Sequence, residues 1–178
     1  MNRPLTSLGG LAFLGFLACV PLANWMIGHA GTVCVPNNPC LIPVAPGIMA
    51  PSGVLMVGFA LVLRDLVQRC LGTAWGLLAI VLGALISFGL APGALVIASG
   101  AAFLLSELAD FAVYTPLQRR GLVLAVLASS AVGLVIDSVV FLSLAFHSLD
   151  FLAGQVLGKI WAVLISIPLV QAARRFTP

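Results

Sequence analysis

Long apolar runs dominate this chain, and short groups of Gly, Pro, Asn or charged residues separate them. Six runs are present, at about 5–28, 52–70, 74–90, 93–115, 121–146 and 151–173. The apolar residues within each run are continuous rather than alternating, and each run is about twice as long as a membrane β-strand. The pattern therefore predicts six α-helices.

The composition places these helices in a membrane. Hydrophobic residues make up 62% of the 178 positions and charged residues only 7%, and the mean hydropathy is +1.22. A bilayer core about 30 Å thick needs roughly 20 apolar residues per helix, so the length fits six spans and no soluble domain. We predict an all-α, polytopic membrane protein whose residues 1–178 form a single six-helix transmembrane domain.

The basic residues indicate how this domain is oriented. The arginines outside the membrane interior all fall on one side of the predicted bundle, and the connections on the other side, at about 29–51, 91–92 and 147–150, have no Lys or Arg. Under the positive-inside rule both termini are cytoplasmic. We expect a multi-pass protein of the bacterial inner (cytoplasmic) membrane, and we interpret the net charge of +3 as a topology signal, not as a nucleic-acid surface.

The connection at 29–51 is long and rich in proline, which excludes a regular helix. Cys34 and Cys40 lie in it with a spacing that permits a disulfide in an oxidising compartment. A bridge and a pair of free thiols both remain open. We expect no metal site here, because no His or carboxylate stands close enough to complete a ligand set.

Six ionisable residues fall within or near the predicted spans. Insertion of an Asp, Lys or Arg at the centre of a membrane helix costs roughly 3 kcal/mol, so these side chains must face the interior of the bundle. They are Arg64, Asp65, Glu107, Asp110, Asp137 and Lys159.

Helix geometry suggests which of these charges meet. At 1.5 Å per residue, Glu107 and Arg64 lie roughly 21 and 18 Å below the outer ends of their helices, so they can pair. Asp137 and Lys159 lie at matching depths of roughly 12–14 Å on neighbouring antiparallel helices. We predict that these two form an ion pair, either as a register-fixing contact or as part of a binding site.

Polar residues at helical spacing predict a cavity. Glu107, Asp110 and Tyr114 share one helix face, and two like charges on one face call for a cation, a proton or a substrate. Asp137 lies on a second polar face, and Gln155 with Lys159 on a third. We take these side chains as substrate-binding candidates. The aromatic side chain of Tyr114, Trp25 or Trp161 could stack on the substrate.

Two further predictions concern the first and second helices. Pro21 suggests a local break that would expose Asn24 to a ligand. Arg64 and Asp65 approach the cytoplasmic edge, where an arginine can snorkel to water. A structural role is the simpler interpretation of that pair, and coupling or gating is the functional alternative.

No phosphate loop, zinc-ligand spacing or Ser/His/Asp arrangement occurs. We therefore expect no enzyme and no cofactor.

Four segments together resemble the VUT, or putative vitamin uptake transporter, family. They are RDLVQRCLG at 64–72, SELADFAVYTPLQRR at 106–120, IDSVVFLSLAF at 136–146 and GQVLGKIWAVLISIPL at 154–169. Cys70 departs from the family pattern, which has a basic residue there. The resemblance implies six helices and, as in the family's queuosine-precursor transporters, import of cyano-deazaguanine or a similar purine-like or vitamin-like solute.

Three classes of function fit these residues. The first is a self-sufficient transporter in which a carboxylate couples uptake to protons. The second is a substrate-binding membrane subunit that needs a separate energising partner, and the third is a ligand-free membrane scaffold. The expected partners are a small-molecule substrate and the lipid bilayer, with a homo-oligomer also open, and no nucleic acid.

The orientation is testable by thiol labelling in intact cells, using a variant in which Cys19 and Cys70 are replaced by Ala. After reduction, Cys34 and Cys40 should react with a membrane-impermeant reagent, because the 29–51 connection is predicted to be extracytoplasmic. Resistance in intact cells combined with reaction in lysed cells would mean that the topology is inverted.

Overall fold

The computed structural model describes residues 3–34, 39–90 and 95–174. Within them the predicted runs are confirmed as helices, each end lying within a few residues of its predicted position. Five of the helices, all except α2, are long and apolar enough to cross a membrane. The six are α1 (Arg3–His29), α2 (Val54–Leu71), α3 (Thr73–Leu90), α4 (Val96–Leu117), α5 (Leu122–Phe146) and α6 (Leu152–Arg174).

Helix α2 is the centre of the bundle. It carries three charged side chains, those of Arg64, Asp65 and Arg69, along 18 residues. It packs against each of the other five helices, and 11 of its residues are buried. A helix with this charge is unfavourable in lipid, and enclosure by more apolar helices removes most of its surface from the bilayer.

Helix α6 runs parallel to α2 and approaches it closely at Gly58. A Cβ atom at position 58 would lie 2.6 Å from the Cβ of Ala162 and 2.9 Å from the carbonyl oxygen of Lys159. Only glycine allows this distance between the helix axes, as small residues commonly do in membrane bundles. The contact brings the segment of α6 that carries Lys159 against the centre of α2.

The connection between α1 and α2 contains a β-hairpin that the sequence analysis did not predict. Strands β1 (Leu41–Ala45) and β2 (Ile48–Pro51) are antiparallel, and the turn between them uses Gly47 at φ 72°. Proline excludes a helix, as expected, but a short strand whose edge is free tolerates it. The prediction of an all-α fold therefore missed this β-hairpin.

The hairpin is held at both ends. At its base, the Cys40 backbone N–H donates to the Ile27 carbonyl at 2.8 Å, and the Ser52 hydroxyl donates to the Met26 carbonyl at 2.7 Å. Farther along, Trp161 Nε1 donates to the Val44 carbonyl at 3.0 Å. The hairpin thus links the end of α1 to α6, and a disulfide joins Cys34 to Cys40 next to its base.

These features define the two ends of the bundle. The hairpin end contains the hairpin, the last turns of α1, α3 and α5, and the first turns of α2, α4 and α6. The opposite end carries Arg69, Arg119 and Arg120 and is called the arginine end.

The break expected at Pro21 is absent. Helix α1 continues through Pro21 to His29, and Asn24 Nδ2 donates to the Val20 carbonyl at 3.1 Å. Membrane helices tolerate an internal proline, and α1 accommodates Pro21 without ending there.

Candidate functional site

Arg64 is the centre of a buried charge cluster. Its guanidinium donates from Nε to Glu107 Oε2 at 3.1 Å and from Nη1 to Gln68 Oε1 at 3.2 Å, and it also donates from Nη2 to Asp110 Oδ1. Nη1 lies 2.9 Å from Asp65 Oδ1. The arginine side chain is fully buried. The predicted pairing of Arg64 with Glu107 is present, whereas the interpretation of Arg64 as snorkelling is wrong, because three carboxyl groups hold it inside the bundle.

Helix α5 completes the cluster on the far side of Arg64. The Ser129 hydroxyl donates to Asp65 Oδ2 at 3.0 Å. Gly133 lies directly against Asp110, since a Cβ at position 133 would be 3.2 Å from Asp110 Oδ2. The absence of a side chain at Gly133 lets α5 come close enough to α4 for Ser129 to reach the charged groups of α2.

A second charged pair lies between α5 and α6. Lys159 Nζ donates to Asp137 Oδ2 at 2.6 Å and to the Ser138 hydroxyl at 2.7 Å. Lys159 is fully buried, while 10% of the Asp137 side chain is exposed. The depths inferred from the sequence correctly place these two residues together.

A cavity of about 70 Å³ lies in the hairpin half of the bundle. All six helices and the Pro51 end of the hairpin contribute to its wall. Its polar side chains are Asn24, Ser87, Ser99, Ser106, Glu107, Asp137 and Gln155. Among the α4 residues in the wall, Glu107 is the farthest from the hairpin end, so the cavity ends at the carboxylate that Arg64 holds.

The arginine half of the bundle is closed beneath this cluster. An apolar group there packs α4, α5 and α6 together around Tyr114, Val126 and Val170, which are each at most 1% exposed. The charge cluster therefore separates a polar cavity on one side from a dry, apolar layer on the other.

The predicted substrate-binding residues fall into two groups. Asn24, Glu107, Asp137 and Gln155 line the cavity. Asp110, Lys159 and Tyr114 are fully buried and do not contribute to its wall. Arg64 binds Asp110, Asp137 binds Lys159, and Tyr114 packs its ring 5.7 Å from the Arg64 guanidinium carbon.

The two tryptophans offered for stacking also lie elsewhere. Trp25 is 53% exposed and stacks on His29 with ring centroids 5.3 Å apart. Trp161 is 47% exposed and bonds to the hairpin. The rings that line the cavity are those of Phe103 and Phe141, which the sequence analysis did not single out.

The sequence analysis also missed the neutral partners of the charges. Gln68, Ser129 and Ser138 each bond to a buried ionic group. Their helical spacing carried a usable signal, because Gln68 follows Arg64 by one turn of α2.

Charge in the membrane interior is not balanced. The buried ionisable side chains that form ion pairs are four carboxyl groups, those of Asp65, Glu107, Asp110 and Asp137, and two cations, Arg64 and Lys159. These ion pairs therefore hold two more carboxyl groups than cations. Because an uncompensated buried charge is costly, this excess favours the binding of protons or of a positively polarised ligand.

The pair of Asp137 and Lys159 can be tested by a double-mutant cycle on unfolding in detergent. Asp137→Asn or Lys159→Met alone should lower the free energy of unfolding by about 3–5 kcal/mol, because each leaves the other charge buried without its partner. The double variant should be less destabilised than the sum of the two. Simple additivity would show that the residues are not coupled.

Comparison with known proteins adds one match. Residues 87–173, which run from the end of α3 through α4, α5 and most of α6, match the family model described as putative vitamin uptake transporter. No curated protein and no solved structure matches the chain. The matched segment includes Glu107, Asp110, Asp137 and Lys159. The resemblance found in the sequence is thus confirmed over residues 87–173, slightly under half of the chain, which are similar to the putative vitamin uptake transporter family.

Proposed function

We propose that this protein imports cyano-deazaguanine, a queuosine precursor, or a related purine-like solute across the bacterial inner membrane, and that the proton gradient drives this import. The family supports transport of a small molecule. The substrate is the one that the family resemblance implies, and the chemistry of the site supports both this substrate and the coupling.

The position of Glu107 is the main observation that supports this proposal. It stands in the cavity wall, near the middle of the bundle, and it is bonded to Arg64 at the same time. One carboxylate thus faces the space where a ligand binds and also contacts the cluster that carries excess negative charge. A group with both contacts can transmit ligand binding to the cluster.

Carboxylate chemistry favours a guanine-like edge as the ligand. Such an edge presents a ring N–H and an amino N–H side by side, and the two oxygens of a carboxylate can accept both. Asn24 and Gln155 add amide groups that donate and accept hydrogen bonds. An analogue without the two donors would leave the buried anion without its bonds, which is a strong basis for discrimination.

The size of the cavity indicates that it widens on binding. Its volume of about 70 Å³ is well below the roughly 300–1,000 Å³ of typical ligand pockets. Phe103 and Phe141 are the large side chains in its wall, and their rings must turn aside to admit a bicyclic base. The same rings would then pack against the faces of the base.

Glu107 also provides a route for coupling. In the structure, Arg64 occupies one oxygen of Glu107. A ligand that takes both oxygens must displace this bond, so Arg64 then depends more on Asp65 and Asp110. Ligand binding therefore changes the electrostatic balance of the cluster, which favours a change in its protonation.

Purified protein in liposomes separates this proposal from a subunit that needs an energising partner. Uptake of labelled cyano-deazaguanine driven by an imposed proton gradient is expected from the protein alone. Uptake that occurs in cells but never in liposomes would support the dependent subunit, and absence of both would support a scaffold.

The role of Glu107 is tested in the same assay. Glu107→Gln keeps the shape of the side chain but replaces one acceptor with a donor, so uptake should fall at least about 100-fold, the scale expected for loss of a charged hydrogen-bond pair. Asp150→Asn is the matched control, because Asp150 is exposed and lies outside the helices. Wild-type uptake by Glu107→Gln would show that this carboxylate does not bind substrate.

A further inference from the structure

The carboxyl groups of Asp65 and Asp110 each have one oxygen that no hydrogen bond reaches. Asp65 Oδ1 and Asp110 Oδ2 are buried and receive none from the described residues, although Asp65 Oδ1 lies in an ion pair with Arg64. The other oxygen of each group is bonded, to Ser129 for Asp65 and to Arg64 for Asp110. Buried oxygens without a donor are rare and call for an explanation.

These two carboxyl groups contact the same guanidinium at its two terminal nitrogens, Asp65 at Nη1, 2.9 Å away, and Asp110 at Nη2, so they lie side by side. Two ionised carboxylates at this distance in a dry interior repel strongly, whereas one proton between them turns the repulsion into a hydrogen bond. A proton held there supplies the donor that the unbonded oxygens lack.

Four helices bring charged or titratable groups near the pair. Helix α2 contributes Arg64, whose guanidinium is also shared with Glu107 of α4, and Arg69, which lies one turn beyond Asp65 toward the arginine end. Helices α5 and α6 contribute Asp137 and Lys159, which are bonded to each other. The described side chains of α1 and α3 include no carboxylate, Lys or Arg. Tyr114 of α4 lies nearby, but its hydroxyl bonds to no described residue.

We propose that Asp65 and Asp110 form a proton-binding pair, sharing one proton in the resting protein behind the wall of the cavity. Ser129 and Arg64 position the pair from its two outer sides. With this proton bound, the excess of negative charge at the cluster falls by one. The pair then carries one negative charge, while the opposite charges of Glu107 and Arg64, where the ligand acts, offset each other.

The inference rests on the proposed function for its role in transport, but not for its test. When a ligand displaces Arg64 from Glu107, the guanidinium is free to bind Asp65 and Asp110 more fully. That favours their ionised form, and the shared proton then leaves toward the arginine end, so that it moves in the same direction as the imported substrate. The pair is thus the point at which substrate binding and proton movement meet.

Infrared spectroscopy of the purified protein without substrate detects the shared proton. The wild type should show the carbonyl stretch of a protonated carboxylic acid at neutral pH, shifted in heavy water. Asp65→Asn and Asp110→Asn should each lose this band, because the amide N–H of asparagine takes over the hydrogen bond and the remaining carboxylate ionises. Asp150→Asn, the exposed control, should keep it.

Either single Asn variant should also remain folded in detergent, because asparagine imitates the protonated acid in shape and donor. If the carbonyl band persists in either variant, the proposal of a shared proton is wrong. The same conclusion follows if either variant fails to fold in detergent. Failure of the wild type to transport, with this band pattern intact, would instead contradict only the proposed function. Proton-driven uptake with a band that neither substitution changes would contradict only the proton-binding pair.

Discussion

The burial of Arg64 at the centre of an apolar bundle is the constraint on which the rest of the structure depends. A guanidinium cannot lose its charge in a protein, so its partners must be brought into the membrane with it. Three carboxyl groups, from α2 and α4, meet it directly. Gln68 accepts a further hydrogen bond. The arrangement overcompensates the arginine, and this excess of negative charge makes the cluster sensitive to protons and ligands.

The architecture follows from that burial. Helix α2 carries too much charge to face lipid, and the five more apolar helices surround it. Glycine at position 58 lets α6 approach α2, and glycine at position 133 lets α5 approach Asp110. The hairpin joins the ends of α1 and α6 and supplies Pro51 to the cavity wall. The polar cavity and the apolar layer around Tyr114 and Val126 then lie on opposite sides of the cluster.

Much of this was accessible from the sequence, for identifiable reasons. Helix positions follow from continuous apolar runs, and Asp137 meets Lys159 because neighbours in the chain are antiparallel neighbours in space, so depth alone fixes their contact. Depth does not fix rotation. The sequence placed Arg64 and Glu107 within reach of each other but left open whether Arg64 turns inward or snorkels to water. It also could not tell that Asp110 and Tyr114, on the same helix face as Glu107, fall behind the cavity wall. The hairpin was missed because its prolines indicate the absence of a helix but do not reveal strand pairing.

The central claim is that ligand binding at Glu107 is linked to proton movement through the Arg64 cluster. The most direct measurement records substrate and proton flux together, in liposomes that contain the purified protein and a trapped pH-sensitive dye. With no imposed gradient, an inward gradient of cyano-deazaguanine should acidify the lumen, with a constant ratio of protons to substrate over a range of substrate concentrations. Uptake of the substrate without any change in lumenal pH would contradict the account.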